Sequence, residues 1–302
     1  MTLHENEIPV DERLIRALLA AQRPEWAGLP LSAAGAGTDN TMYRLGEDLL
    51  VRLPRTVDGG RSVRKEQEWL PRLAPLLPCE IPDPVHRGTP AAGFPAVWSV
   101  HRWIDGDEAG PKTVRDWTAF GNALAGIVDR LHRVDLMGAT REGGLDWYRG
   151  GPLGACDRWV GRCLDDCREL VGGELDVGTL ERLWRDAVAL PESVGPQVWL
   201  HGDLKPTNLL VRDGALHAVI DFGALSIGLP DAEHATVWDL PPDARSAYWN
   251  ALDLDEPTWT RARAWAIAVG ASGISYYRHT IPAFVAECRA RLDAILTDAA
   301  AR

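Results

Sequence analysis

The octapeptide His201-Gly202-Asp203-Leu204-Lys205-Pro206-Thr207-Asn208 sets a carboxylate, an ammonium and an amide on one short loop. An apolar run, Leu209-Leu210-Val211, follows; after Asp213-Gly214 comes a second run, Leu216–Ile220, which ends on Asp221-Phe222-Gly223. An Asp-Gly pair between two apolar runs predicts a β-hairpin. Such a hairpin brings Asn208, at the start of one strand, near Asp221, at the end of the other. Asp203 sits on the incoming loop, so three oxygen-bearing side chains converge. Phosphoryl transfer uses such a set: a carboxylate to orient or accept the proton of an attacking hydroxyl, and hard oxygen ligands to hold Mg²⁺ against the β- and γ-phosphates. Lys205 adds positive charge beside the transferring group.

Other elements must carry that loop. Residues 11–22 read as a helix with Leu14, Leu18 and Leu19 on one face, and 62–77 as another with Trp69, Leu70, Leu73 and Leu77 at helical spacing. Between them lie a turn-rich loop, Gly35–Asn40, and two strands, Thr41–Leu45 and Leu49–Leu53, joined by Gly46-Glu47-Asp48. Phe94–Ile104 reads as a strand that ends at Asp105-Gly106. Beyond it, helices are expected at 113–134, 155–171 and 179–190, a glycine-rich loop at Gly143–Gly154, a short strand at Val198-Trp199-Leu200, and three helices after about 241.

The pair HGDLKPTN and DFG, with 18 positions between Asp203 and Asp221, resembles protein kinases, and more closely the HGD-type loop of aminoglycoside phosphotransferases. That resemblance implies an α+β, bilobal, protein-kinase-like fold. A small antiparallel-sheet lobe (1–104) would bind nucleotide, and a larger, mainly helical lobe (105–302) would hold the catalytic loop and the substrate. By the same resemblance Asp203 is the catalytic base, His201 shapes the loop, and Asn208 and Asp221 are metal ligands. Arg52 stands where family members carry a strand lysine, with Glu66 as its helix partner and Glu68 as the other candidate. Gly35 and Gly37 belong either to a phosphate-covering loop or to an ordinary turn. Leu50 packs on the base, backbone groups near Arg102 and Ile104 form the hinge, and His101 is either a gatekeeper or a core histidine. The run Gly228-Leu229-Pro230-Asp231-Ala232-Glu233 departs from the family's Gly-Asp-Pro-Ala-x-Asp pattern. Asp231 and Glu233 are the residues expected on the substrate side, either in an acidic cleft or as surface acids.

The expected cofactor is Mg²⁺ with ATP or GTP, and the expected partner a small molecule, with a cationic one favoured by the acidic balance. The net charge of −11 opposes a nucleic-acid backbone. No apolar run is long enough for a membrane span, and the polar start of the chain is unlike a signal peptide, so a cytoplasmic monomer or homodimer is expected. The five cysteines include no CxxC pair. Cys156, Cys163 and Cys167 share an apolar helical stripe, which predicts core packing rather than a metal site. The function that follows is O-phosphorylation of an antibiotic, aminoglycoside-type or other. The alternatives are a metabolic kinase for an amino alcohol, sugar or nucleoside, and a nucleotide-binding pseudokinase.

Overall fold

In the computed structural model, residues 6–37 and 39–301 are described. Met1–Glu5 and Thr38, a member of the glycine-bearing loop, lie outside them. The chain divides into two compact units. The first takes the residues up to Gly106 together with His217–Gly223; the second takes Asp107–Leu216 and Ala224 onward.

The first unit is built on a five-stranded antiparallel sheet in the order β1-β2-β3-β5-β4. Its strands are β1 (Leu31–Ala36), β2 (Asn40–Leu45), β3 (Leu49–Pro54), β4 (Pro84–Gly88) and β5 (Trp98–Arg102). Helix α1 (Glu12–Gln22) starts where the Asp11 carboxylate accepts from the Leu14 N–H at 2.8 Å. Its Ile15, Leu18 and Leu19 join Leu45, Val51, Leu53, Trp98 and Val100 in one core. Helix α2 (Gly60–Leu73) ends earlier than expected and passes into a single 3₁₀ turn at Ala74–Leu76. Pro75, in that turn, lacks the N–H group that a further α turn requires, whereas Pro71 is accommodated inside α2. The strand expected over Phe94–Ile104 contracts to β5, while β1 extends into the segment expected to be loop, with an irregular register between Ala33 and Ala36. The segment His217–Gly223 is stitched to this unit through Glu80, whose N–H donates to the His217 carbonyl (3.2 Å) and whose carbonyl accepts from Val219 (3.0 Å).

The second unit is mainly helical. It contains α3 (Trp117–His132), α4 (Asp157–Val171), α5 (Val177–Val188), α6 (Pro242–Leu252), α7 (Glu256–Tyr277) and α8 (Pro282–Ala301). Helix α3 begins at Asp116, whose carboxylate caps the Ala119 N–H at 3.0 Å, so the expected start at 113 is too early. Helix α7 is buried nearly all round, against α4, α5 and α8. Fully buried Trp184, Trp199, Trp238 and Trp265 fill this core, which accounts for much of the tryptophan content. Cys163 and Cys167 lie on the buried face of α4, and Cys288 on that of α8. Two small strand pairs complete the unit: β7 (Val198–Leu200) with β10 (Ser226–Gly228), and β6 (Asp107–Glu108) with β8 (Leu209–Arg212). After β8, Asp213 (φ 53°) and Gly214 (φ 81°) form the left-handed turn that Asp-Gly favours, and β9 (Ala215–Val219) carries the chain back to the first unit. Among the described residues, no helix is long and apolar enough to cross a membrane.

Candidate active site

In the second unit, the loop after β7 is fixed by its own backbone groups. Gly202 has φ 81°, and a Cβ there would fall 2.7 Å from the Ala224 carbonyl, so only glycine fits. Both oxygens of buried Glu233 accept from the loop: the His201 N–H donates at 3.1 Å and the Gly202 N–H at 3.0 Å. Burial pushes the Glu233 carboxyl up to about 7, against the pull of those two donors. The His201 ring accepts from the Asp203 N–H through Nδ1 (3.2 Å), and the Asn208 amide donates to the Asp203 carbonyl (2.8 Å). With its backbone so held, Asp203 presents a carboxylate whose side chain is 32% exposed.

That carboxylate has a partner the sequence did not announce. Arg149 donates to Asp203 Oδ1 at 2.9 Å and also to the Gly202 carbonyl. Burial alone would raise the Asp203 carboxyl; Arg149 and Lys205 overcome it and hold the group down at about 2, hence ionised. The Lys205 ammonium lies 5.1 Å from the centre of the Phe284 ring on α8, a cation–π contact.

In the first unit, Asp221 adopts φ 63°, a left-handed conformation uncommon outside glycine. Its carboxylate is about half exposed (48%). Arg52 on β3 donates to Glu66 on α2 at 2.7 Å and reaches Asp221 at 3.4 Å. Burial pushes the Glu66 carboxyl up, while for Arg52 the neighbouring carboxylates outweigh burial and hold the guanidinium charged. Glu68 is exposed. One position before Glu66, Lys65 donates to the Gly223 carbonyl at 2.8 Å, and burial lowers its ammonium to about 8.

The remaining nucleotide-side residues fall as follows. Gly35 has φ 101° within β1; Gly37 gives its carbonyl to Arg55 at 3.0 Å, and the Arg55 N–H donates to the Asp39 carbonyl. Leu50 on β3 is half-buried opposite His101 on β5. His101 is buried, neither ring nitrogen has a hydrogen-bond partner, and burial holds its pKa well below the ordinary value, so the ring is neutral. The Arg102 N–H donates to the Asp83 carbonyl at 2.8 Å and is thus already used, while its side chain is exposed. Ile104 is buried.

On the expected substrate side, Asp231 pairs with Arg261 at 3.1 Å. The pair lines a small open pocket with Pro152, Leu190, Leu229 and Trp265. Asp239 is held bidentately by Arg291, at 2.7 and 2.6 Å, and Asp255 caps α7 through the Thr258 N–H. Asp231 and Asp239 are engaged inside the unit, because a buried carboxylate needs a cation or donor beside it, whereas Asp255 is an exposed cap.

Each unit by itself offers an oxygen donor of the kind a divalent cation takes. Asp221 offers a half-exposed carboxylate, and the inward-donating nitrogen of Asn208 leaves its amide oxygen as the acceptor. Among the described residues, no group of three or more His, Cys, Asp or Glu is assembled for a metal. Mg²⁺ suits such sparse protein ligation, since it retains water and takes further oxygens from phosphates.

A family model described as the phosphotransferase enzyme family matches residues 30–265. The chain belongs to this family. It is therefore a small-molecule kinase that transfers phosphate to hydroxyl groups. This phosphotransferase shares its fold with a GDP complex of an aminoglycoside 2′-phosphotransferase-IIIa (TM-score 0.75, 17% identity, 96% of this chain and 100% of that one). It is also similar to a GDP and kanamycin complex of an APH(2″) enzyme (0.72, 17%, 93% and 97%). A macrolide 2′-phosphotransferase type I is a further neighbour (0.65, 16%, 95% and 98%). No functionally curated protein matches the sequence.

Proposed function

We propose that this phosphotransferase moves the γ-phosphate of ATP or GTP to a hydroxyl of a small-molecule antibiotic and thereby confers resistance. The observation that carries the reading is the presentation of Asp203: its loop satisfies its backbone inward and leaves one ionised carboxylate open to solvent. In this role Asp203 accepts a hydrogen bond from the acceptor hydroxyl, aligns its oxygen for attack and takes the proton as the P–O bond forms. Glu233 and His201 act through the loop, as braces rather than as substrate contacts. Asn208 and Asp221 are the oxygen ligands for Mg²⁺, which when bound neutralises charge on the β- and γ-phosphates. Arg52 holds phosphate oxygens in place of the usual lysine; its fork suits them bidentately. Lys205 faces the transferring group. His101, Leu50 and the backbone near Ile104 line the base, and Gly35 and Gly37 the phosphates.

The relatives' printed substrates, kanamycin and macrolides, support the antibiotic class. A metabolic alcohol remains the second reading, favoured by the internal pairing of Asp231 and Asp239, which leaves those acids no free charge for a polycation. Expression in a susceptible bacterium, tested against aminoglycosides and macrolides, separates the two. Raised resistance that disappears in Asp203→Asn supports the antibiotic reading. No change across the panel, with phosphorylation of a metabolic alcohol in vitro, overturns it.

A further inference from the structure

We infer that Arg149 is a positioning residue for the transfer reaction: it sets the direction in which Asp203 points its carboxylate toward the acceptor hydroxyl. The inference rests on the assignment of Asp203 as the base.

Four observations carry it, all within the second unit. First, the Arg149 guanidinium makes two bonds to the loop, one to Asp203 Oδ1 at 2.9 Å and one to the Gly202 carbonyl. Both bonds come from one nitrogen, Nη1, so Oδ1 of the carboxylate is tied at that point to the backbone of its own loop. Second, the guanidinium is itself fixed from behind. Its Nε donates to the Tyr148 hydroxyl at 3.0 Å, and Tyr148 is wedged edge-on against Trp159 (ring centres 5.3 Å apart). Third, the backbone that bears it is locked. Arg149 sits in a single 3₁₀ turn, Tyr148–Gly150, and the Leu229 N–H donates to the Gly150 carbonyl at 3.0 Å. A Cβ on Gly228 would come within 2.3 Å of Gly150 Cα, so the turn and β10 meet through paired glycines that no larger residue can replace without a shift. Fourth, Asp203 has two faces. Arg149 takes Oδ1, while Asn208 touches Oδ2 only at 3.4 Å, which leaves Oδ2 as the oxygen for a hydroxyl.

A residue with this arrangement acts on alignment rather than on nucleotide affinity. Misplacing a reacting group by about 1 Å costs on the order of 10²-fold in rate. The test measures Mg-ATP or Mg-GTP turnover, with water as the acceptor, for wild type, Arg149→Met, Arg149→Lys, Asp203→Asn and the Arg149→Met/Asp203→Asn double variant. Nucleotide KM and thermal stability are recorded in parallel. The expected result is that Arg149→Met lowers kcat by roughly 10²-fold with nucleotide KM nearly constant, and that Arg149→Lys recovers part of the loss. The double variant should be no slower than Asp203→Asn alone, because the arginine works through that aspartate. Fully additive losses in the double variant overturn the inference, as does an Arg149→Met enzyme that turns over like wild type. An Arg149→Met loss shared equally by kcat, KM and stability also overturns it, since that marks general structural damage. Where Arg149→Met does not fold, Arg149→Lys decides: a kcat between those of wild type and Asp203→Asn, at wild-type KM and stability, supports the inference, and wild-type kcat opposes it. Failure of the base assignment is separately visible, because Asp203→Asn would then be active.

Discussion

Glu233 is an acid expected on the substrate side whose two carboxylate oxygens accept from the backbone of the loop that bears Asp203. Its partners, the N–H groups of His201 and Gly202, lie about thirty positions away and have no sequence signature, whereas the Asp-Pro-like run around Asp231 looks like a local polar motif. Arg149 and Lys65 were missed for the same reason: each gains its meaning from a carboxylate or carbonyl far along the chain, and an isolated Arg or Lys in a loop or helix looks like any surface cation. By contrast Asp203, Asn208 and Asp221 could be singled out as candidates because their spacing is tied to one loop and one hairpin. Glu233 also yields a prediction. Its carboxyl is raised to about 7 by burial, so the folded chain holds a proton there that the unfolded chain has released above its ordinary value of 4.5. Between those two pH values, this group therefore makes the folded state progressively less stable as pH rises. Glu233→Gln removes that slope. In urea titrations across pH, the unfolding free energy of the variant relative to wild type should move in favour of the variant by roughly 3 kcal/mol between pH 4.5 and 8. A difference that stays flat with pH would show that Glu233 does not titrate in this window.

At the scale of elements, the helices were legible from their apolar spacing and their ends were not, because the ends depend on caps and prolines. Asp116 delays α3, and Pro75 sits where α2 gives way to a 3₁₀ turn. The strands of the first unit were read where they alternate around a tight turn, as in β2 and β3. They were lost where they are short and half-buried, as in β4. The segment Pro230–Asp239 is the least readable element: ten residues of 3₁₀ helix, held by side chains at intervals along its length. Asp231 is held by Arg261, Glu233 by the catalytic loop, His234 by the Tyr248 hydroxyl at 2.8 Å and Asp239 by Arg291. A long 3₁₀ run has poor intrinsic hydrogen bonding, so these anchors carry its stability. Arg291→Met should consequently cost about 3–5 kcal/mol, the range for orphaning one member of a buried ion pair. Chemical denaturation checks this; a loss below about 1 kcal/mol, typical of a surface pair, would mean that Asp239 finds water.

At the scale of the molecule, the candidate site residues are distributed over two units that differ in kind. A β-sheet unit carries Arg52, Glu66, Lys65 and Asp221, and a helical unit carries Arg149, Asp203, Asn208 and Glu233. What differs from the sequence expectation is charge. Despite a net charge of −11, Asp231 and Asp239 are paired with arginines within the second unit, and the part-exposed carboxylate of the loop after β7 is Asp203. The central claim therefore concerns Asp203 and the transfer of phosphate to an alcohol. It is tested most directly by following labelled γ-phosphate from ATP and GTP onto a panel of hydroxyl compounds, with wild type and Asp203→Asn side by side. The account predicts at least one phosphorylated alcohol, lost by a factor of about 10² or more in Asp203→Asn, with nucleotide affinity retained. Equal transfer by the two proteins would contradict it, as would nucleotide binding without transfer to any acceptor.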